Sequence, residues 1–271
     1  MFTFGWFSSG RDQAAIDLFT AVMDRMATGF IPGRLAYVFC DRAPGETPAS
    51  DRFQAAVKER GVPLVTHSSG ALRQVIKARG PELAAVRDAF DAQVIARLQD
   101  YAADVTVLAG YMLIASPRLC RAFLCLNLHP AVPGGPKGTW QQVMWQVMEA
   151  GHQEAGGMMH LATAELDEGP PVTYFRLPLT GPEFKPLWAQ FTEKRRRQSL
   201  ADIQVREGEA EPLFAKIRHE ELRREFPLIL LTLKNLAEGR FTLSRAGAQH
   251  EGRLLPRGLD LTGQVEEFLK Q

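Results

Sequence analysis

Cysteine is scarce in this chain: 3 among 271 residues, namely Cys40, Cys120 and Cys125. An odd, small set excludes a disulfide framework, and a chain this long does not need one, so a reducing compartment fits best. Long apolar runs are missing too, since no stretch reaches the roughly 18 uncharged apolar residues of a membrane-spanning helix. The opening Met1–Phe7 has no basic flank and meets Arg11 and Asp12 before a signal-peptide core can form. Neither charge dominates, with 32 Lys and Arg against 31 Asp and Glu, which removes the global field that favours nucleic acid. No internal repeat and no low-complexity tract is present. These absences point to a soluble, cytoplasmic globular protein whose partners are neither nucleic acid nor membrane.

What the chain does contain is alternation. Short apolar runs with strand character end in Gly, Pro or Asp and give way to stretches of helical period, the signature of an α/β fold with strands covered by helices. Strands are predicted at Phe2–Phe7, Leu35–Cys40, Leu64–His67, Val105–Ala109, Phe123–Leu128, Met158–Ala162 and Val172–Leu177. Ala15, Ile16, Phe19, Val22, Met23 and Met26 form one apolar stripe over Asp12–Met26. A similar pattern covers Arg87–Tyr101. A third helix is expected from an N-cap at Thr139 to a left-handed Gly151.

Beyond a Pro- and Gly-punctuated stretch at Pro178–Pro186 no further convincing strand is apparent. There Leu213 to Leu236 predict a long helix kinked or broken at Pro227. The expected architecture is a three-layer, mostly parallel twisted sheet of about seven strands over residues 1–178. Residues 179–271 are expected to form a helical C-terminal segment packed on the same domain.

Polar, titratable and backbone-special residues concentrate between Asn127 and Asp167. Alternation along a strand puts Asn127 and His129 on one face, at the carboxyl end where open α/β sheets bind ligands. A Pro- and Gly-rich loop, Pro130–Gly138, follows; read alone, it is an ordinary strand-to-helix connection. A second run passes through His160 into a loop carrying Glu165, Asp167 and Glu168 and closed by Gly169, Pro170 and Pro171. Taken singly, Asp167 reads as a turn residue and His160 as a core histidine with a satisfied nitrogen.

In combination, Val105–Ile114, then Asn127-Leu-His129-Pro, then Gly157–Pro170, resemble the folate-dependent formyltransferases, in particular their glycinamide ribonucleotide branch. The stretch Asn235–Phe241 is similar to that family's closing helix and turn, and Ser8-Ser9-Gly10 falls where its first strand ends. The match covers most of the chain and is weakest over Ser68–Ala85 and Leu179–Glu211. The resemblance implies transfer of a formyl group from 10-formyltetrahydrofolate to an amine, with Asn127, His129 and Asp167 as the catalytic triplet. It further implies a pterin pocket lined by Tyr111, Met112, Leu113 and Ile114 and closed by Thr163, Ala164, Glu165, Leu166 and Asp167. No metal is required.

By the same resemblance Ser9, Gly10 and Arg11 would meet the acceptor. Their loop, Ser8-Ser9-Gly10-Arg11-Asp12-Gln13, lacks the second glycine and the paired asparagines of the family's ribose-phosphate loop. The expected acceptor is therefore a small-molecule amine other than glycinamide ribonucleotide. Hydrolysis of the same donor, or folate binding without turnover, are the rival readings. The deformylases of the family carry an N-terminal regulatory domain, whereas this chain opens on its first strand. The tRNA-formylating branch appends an all-β domain, whereas this tail reads as helical. Cys120, Cys125 and His129 have no zinc-site spacing, and Lys194–Arg197 is expected to be a solvated helix face.

Overall fold

A computed structural model describes residues 1–79 and 82–271; residues 80 and 81, inside the weakly matched Ser68–Ala85 stretch, lie outside the described residues. In chain order the elements begin with β1 (Phe2–Ser8), α1 (Gln13–Ala27), β2 (Gly33–Cys40), α2 (Pro48–Glu59), β3 (Leu64–Thr66), α3 (Gly70–Ala78) and α4 (Leu83–Leu98). They continue with β4 (Val105–Leu108), α5 (Pro117–Ala122), β5 (Cys125–His129), α6 (Trp140–Glu149), β6 (Glu154–Leu161) and β7 (Pro171–Pro178). The remainder comprises α7 (Lys185–Arg197), α8 (Leu200–Arg206), α9 (Pro212–Ala237), β8 (Thr242–Ser244), β9 (Gly247–His250), β10 (Arg253–Leu254), β11 (Leu259–Asp260) and α10 (Thr262–Phe268).

All seven strands expected from the sequence are present. An eighth, the two-residue β11, adds to them, giving one sheet of order β11-β7-β6-β5-β4-β1-β2-β3. The pairs β1–β2, β1–β4, β2–β3, β4–β5 and β7–β11 are all parallel. The expectation that no strand follows residue 186 is corrected by β8, β9 and β10, which form a separate three-stranded sheet, and by β11. These strands are two to four residues long, too short for a period of two to register against a charged background.

The chain divides into two compact units. The first comprises Met1–Asn127, His160–Pro170 and Thr232–Leu255, and the second Leu128–Met159, Pro171–Leu231 and Pro256–Gln271. In the first unit β1 lies between β2 and β4, so the chain leaves it in opposite directions and creates a switch point at the carboxyl ends of β1 and β4. Phe7 pairs with Leu108 and Leu108 with Asn127, so β1, β4 and β5 end at one level. The strand side chains are almost wholly apolar because both sheet faces are covered. Phe7, Tyr37, Phe39, Leu72, Phe90, Val94 and Leu119 form one buried cluster on one side of it.

The helices obey their local signals. Asp12 caps α1 by accepting from the Ala15 N–H, and Leu18, Phe19 and Val22 supply the buried stripe. Thr139 and Gln142 form a reciprocal capping box on α6, and Gly151 follows it at φ +63°. Helix α9 runs for 26 residues through Pro227, so of the kink or break expected there the break does not occur. Buried Leu213, Phe214 and Ile217 before the proline, and Leu228 to Leu233 after it, hold both halves by apolar contact where one backbone hydrogen bond is lost.

Candidate functional site

At the carboxyl end of β4 the first unit contains a cavity of about 210 Å³. The segment after β4 supplies Tyr111, Met112, Leu113, Ile114 and Ala115; β5 supplies Asn127, β6 supplies His160, and the following loop supplies Thr163, Glu165, Leu166 and Asp167. All the sequence-predicted donor-pocket residues except Ala164 therefore line one space, together with Asn127 and Asp167 of the expected triplet. Ala164 lines an adjacent cavity of about 180 Å³ with Cys120, Cys125, Phe123 and Arg245.

The rim is unusually apolar for a surface. Met112, Ile114 and Leu166 are 50%, 45% and 58% exposed, and all three border this one cavity. The segment 111–115 leaves β4 through Gly110, whose φ of +65° turns the chain away from the sheet. Buried groups then fix it. Ser9 Oγ accepts from the Met112 N–H at 3.0 Å, and Asp91 Oδ2 accepts from the Ser116 N–H at 2.6 Å. Asp91 was not singled out from the sequence, because its partner is a backbone amide 25 positions away. Burial raises its carboxyl above the usual range, partly offset by the Ser116 hydrogen bonds. Burial likewise drives the Tyr111 phenol well above its ordinary value, with Asp91 nearby adding to the effect.

On the opposite side, Asp167 adopts φ +56°, a left-handed conformation that aspartate tolerates better than most residues. Its Oδ1 lies 3.9 Å from His160 Nε2. The His160 ring is 1% exposed and its Nδ1 donates to the Leu161 carbonyl at 3.1 Å. The sequence reading of a satisfied core histidine is thus half of the account. The other nitrogen, Nε2, stands 3.3 Å from Asn127 Nδ2. Its place in the Gly157–Pro170 run, facing the end of β5, was the available signal.

His129 belongs to the second unit. It is 3% exposed, and its Nε2 donates to the Pro136 carbonyl at 2.9 Å, so the Pro- and Gly-rich loop is in contact with this ring. The expected acceptor residues lie in the first unit, in the turn after β1. Ser9 is fully buried and its hydroxyl is engaged by Met112. Gly10 is left-handed at φ +55° and packs on Phe53. Arg11 is 65% exposed and lies 3.7 Å from Asp12.

Other readings resolve structurally. Cys40, Cys120 and Cys125 are buried free thiols, and burial pushes Cys40 and Cys120 up to about 11. Lys194–Arg197 end α7, where Lys194 pairs with Glu207 and Glu211, and Arg196 and Arg197 with Glu193. Among the described residues no helix is long and apolar enough to cross a membrane. A larger cavity of about 520 Å³ in the second unit has Glu149, Lys185 and Arg195 as its titratable groups and no imidazole, which makes it poorer in groups for acid–base chemistry.

Comparison with known proteins bears on the fold and the family. The phosphoribosylglycinamide formyltransferase of Escherichia coli (strain K12) is 30% identical over 161 residues, 59% of this chain and 66% of that protein. The enzyme of the same name from Haemophilus influenzae is 28% identical over 162 residues, 59% of this chain and 62% of that protein. Both matches span slightly less than two thirds of the relative's length. Glycinamide ribonucleotide transformylase 1 from Symbiobacterium toebii superposes with a TM-score of 0.59 at 26% identity over 92% of this chain and 94% of that one. A formyltetrahydrofolate deformylase from Burkholderia mallei shares the fold, with a TM-score of 0.57 at 16% identity over 92% of this chain and 69% of that one. The family model described as formyl transferase matches residues 15–183, more than half of the chain, and with the fold and these relatives it establishes that the chain belongs to the formyl transferase family.

Proposed function

We propose that the protein transfers the formyl group of 10-formyltetrahydrofolate directly to the amine of a small molecule. The observation that carries this reading is the single cavity that joins Asn127 and Asp167 to the exposed apolar rim of Met112, Ile114 and Leu166. A flat aromatic donor gains from covering such a rim, while the amide and carboxylate suit the reacting end.

The amine nitrogen attacks the formyl carbon and a C–N bond forms. The carbonyl pair moves onto oxygen, giving a tetrahedral oxyanion. The Asn127 amide N–H and a ring N–H of His129, two residues further along β5, stabilise that oxyanion; a donor of this kind is worth roughly 3 kcal/mol. Asp167 assists a water in taking the proton that the amine loses. Collapse breaks the bond to the donor nitrogen, which takes up the proton carried by that water and leaves as tetrahydrofolate.

The acceptor is an amine other than glycinamide ribonucleotide. What supports this is the turn after β1, where the Ser9 hydroxyl is taken by Met112 and Arg11 projects into solvent beside Asp12. A phosphate cradle needs several convergent backbone N–H groups at a helix start. The same observation leaves water as the rival acceptor.

The test is to incubate the purified protein with 10-formyltetrahydrofolate, with and without glycinamide ribonucleotide or a panel of small amines, and to follow tetrahydrofolate and formate. Tetrahydrofolate release that requires an added amine other than the ribonucleotide supports the proposal. Stoichiometric formate without any amine replaces it by hydrolysis, and absence of turnover in every mixture removes it.

A further inference from the structure

We propose that Asp91 and Ser9 are positioning residues for the formyl donor, acting as a two-point clamp that holds the backbone of residues 111–115 along the cavity. The inference rests on reading this cavity as the donor site, and it assigns Ser9 to the donor side of the reaction.

The segment needs an external hold because it has left the sheet. Among the described residues, its bonded backbone amides are Met112, which donates to Ser9 Oγ at 3.0 Å, and Ser116, which donates to Asp91 Oδ2 at 2.6 Å. The two acceptors arrive from different elements, Ser9 from the turn after β1 and Asp91 from α4. Both are essentially sealed from solvent, at 0% and 2% exposure. Ser9 is held in turn by its own N–H, which donates to the Gly110 carbonyl at 3.0 Å. Ser116 passes the constraint onward by capping α5 through its hydroxyl, which accepts from the Leu119 N–H at 3.3 Å.

A buried carboxylate is a costly way to anchor a loop, and its hydrogen bonds to Ser116 offset part of that cost. Between the two anchors Met112 and Ile114 remain half exposed at the cavity edge. Without those anchors both side chains would sample more conformations. Holding them out in advance removes an ordering cost from ligand binding, which is what a second layer of fixed contacts supplies to a binding surface.

The experiment measures binding of 5,8-dideazafolate, a ring analogue with no formyl group to transfer or hydrolyse, by calorimetry, with Tm recorded for each protein. Asp91→Ala is expected to weaken binding about tenfold, Asp91→Asn, which keeps an acceptor oxygen, about threefold or less, and Ser9→Ala about fivefold. Because both residues restrain one segment, the double variant should lose less than the product of the two single losses. Amide hydrogen exchange at Met112 and Ser116 should quicken in the variants. Ser9→Ala removes no charge and tests the clamp independently if Asp91→Ala does not fold. A merely structural role predicts a lowered Tm with unchanged analogue affinity in Asp91→Ala and Ser9→Ala, and that result overturns the clamp while leaving the donor site intact. Failure of the unaltered protein to bind the analogue removes both.

Discussion

Asn127 Nδ2 stands 3.3 Å from His160 Nε2, while His160 Nδ1 donates to the Leu161 carbonyl. The second bond fixes the tautomer: with its proton on Nδ1, the neutral ring offers Nε2 as an acceptor, and the Asn127 amide donates to it. One amide hydrogen is thereby anchored and the plane of the Asn127 side chain is set, so its other N–H is aimed by His160. Catalytic donors depend on such preorganisation.

His160→Leu is accordingly expected to reduce kcat by about tenfold to a hundredfold, with the donor KM changed less than about threefold. His160→Gln, whose amide oxygen can accept from Asn127, should recover part of the rate. Steady-state kinetics on the two variants decide this; an unchanged kcat in His160→Leu means that Asn127 is oriented by something else.

Direct removal of the proposed donors should be more severe. Asn127→Ala and His129→Ala are each expected to lose roughly a hundredfold to a thousandfold in turnover. Folate-analogue affinity should stay within about tenfold, or ~1.4 kcal/mol. Paired activity and binding measurements check this. Full activity in His129→Ala takes that residue out of the mechanism.

Gly169 gives a backbone prediction. A Cβ there would lie 1.6 Å from the Leu161 carbonyl oxygen, and that carbonyl belongs to the strand end that carries His160. Gly169→Ala must push the loop of residues 162–168 away from β6. The expected loss is several kcal/mol of stability or, in a surviving fold, of donor affinity, since strain against backbone has no flexible side chain to relax into. Thermal unfolding with analogue titration is the readout, and Gly134→Ala serves as contrast. Gly134 has open space around the added carbon, leaving only the cost of its left-handed φ of +84°.

What the sequence made legible follows from how far each signal reaches along the chain. The strands β1, β2 and β4 are four to eight residues of near-continuous apolar side chain and were readable at once. Thr139 and Gly151 marked the ends of α6 by local capping chemistry. The short strands β8 to β11 carry no period of their own and exist because a neighbouring strand pairs with them. The site divides in the same way. Met112, Ile114, Leu166, Asn127 and Asp167 sit in recognisable runs. The contribution of Asp91 depends on a fold that brings α4 to the Ser116 amide, and no local pattern announces it. Helix α9 does not break at Pro227 because the residue's helix-breaking tendency is a local cost, whereas apolar burial on both sides of it is a property of the packed chain.

Adjacent glutamates on α9 should pull stability in opposite directions with pH. Glu220 is 8% exposed, and burial alone would raise its carboxyl. Hydrogen bonds from Lys216 at 2.8 Å and Arg224 at 2.7 Å outweigh that and hold it at about 2, against an ordinary value of 4.5. A depressed carboxylate stabilises the fold above its unfolded pKa and loses that contribution as pH falls toward its folded one. Glu220→Gln should therefore cost on the order of 2 to 3 kcal/mol at neutral pH, and the difference should close between about pH 4.5 and 2. Glu221 is 1% exposed and shifted well upward by burial, then by the nearby Glu225, against the weaker opposing pull of Arg218 and the Gly156 N–H. Its Oε1 accepts from that N–H at 3.3 Å, while Oε2 makes no hydrogen bond among the described residues. A raised carboxyl favours the fold below its unfolded pKa and loses that advantage as pH rises through the shifted value. Glu221→Gln keeps an acceptor for Gly156 without a buried charge, so it should match the parent near pH 4 and exceed it in Tm near pH 8. Thermal melts of both variants from pH 2 to 8 give two difference curves of opposite slope sense, and a Glu221→Gln protein less stable than its parent at pH 8 would show that the buried carboxylate is held by its surroundings as an ion.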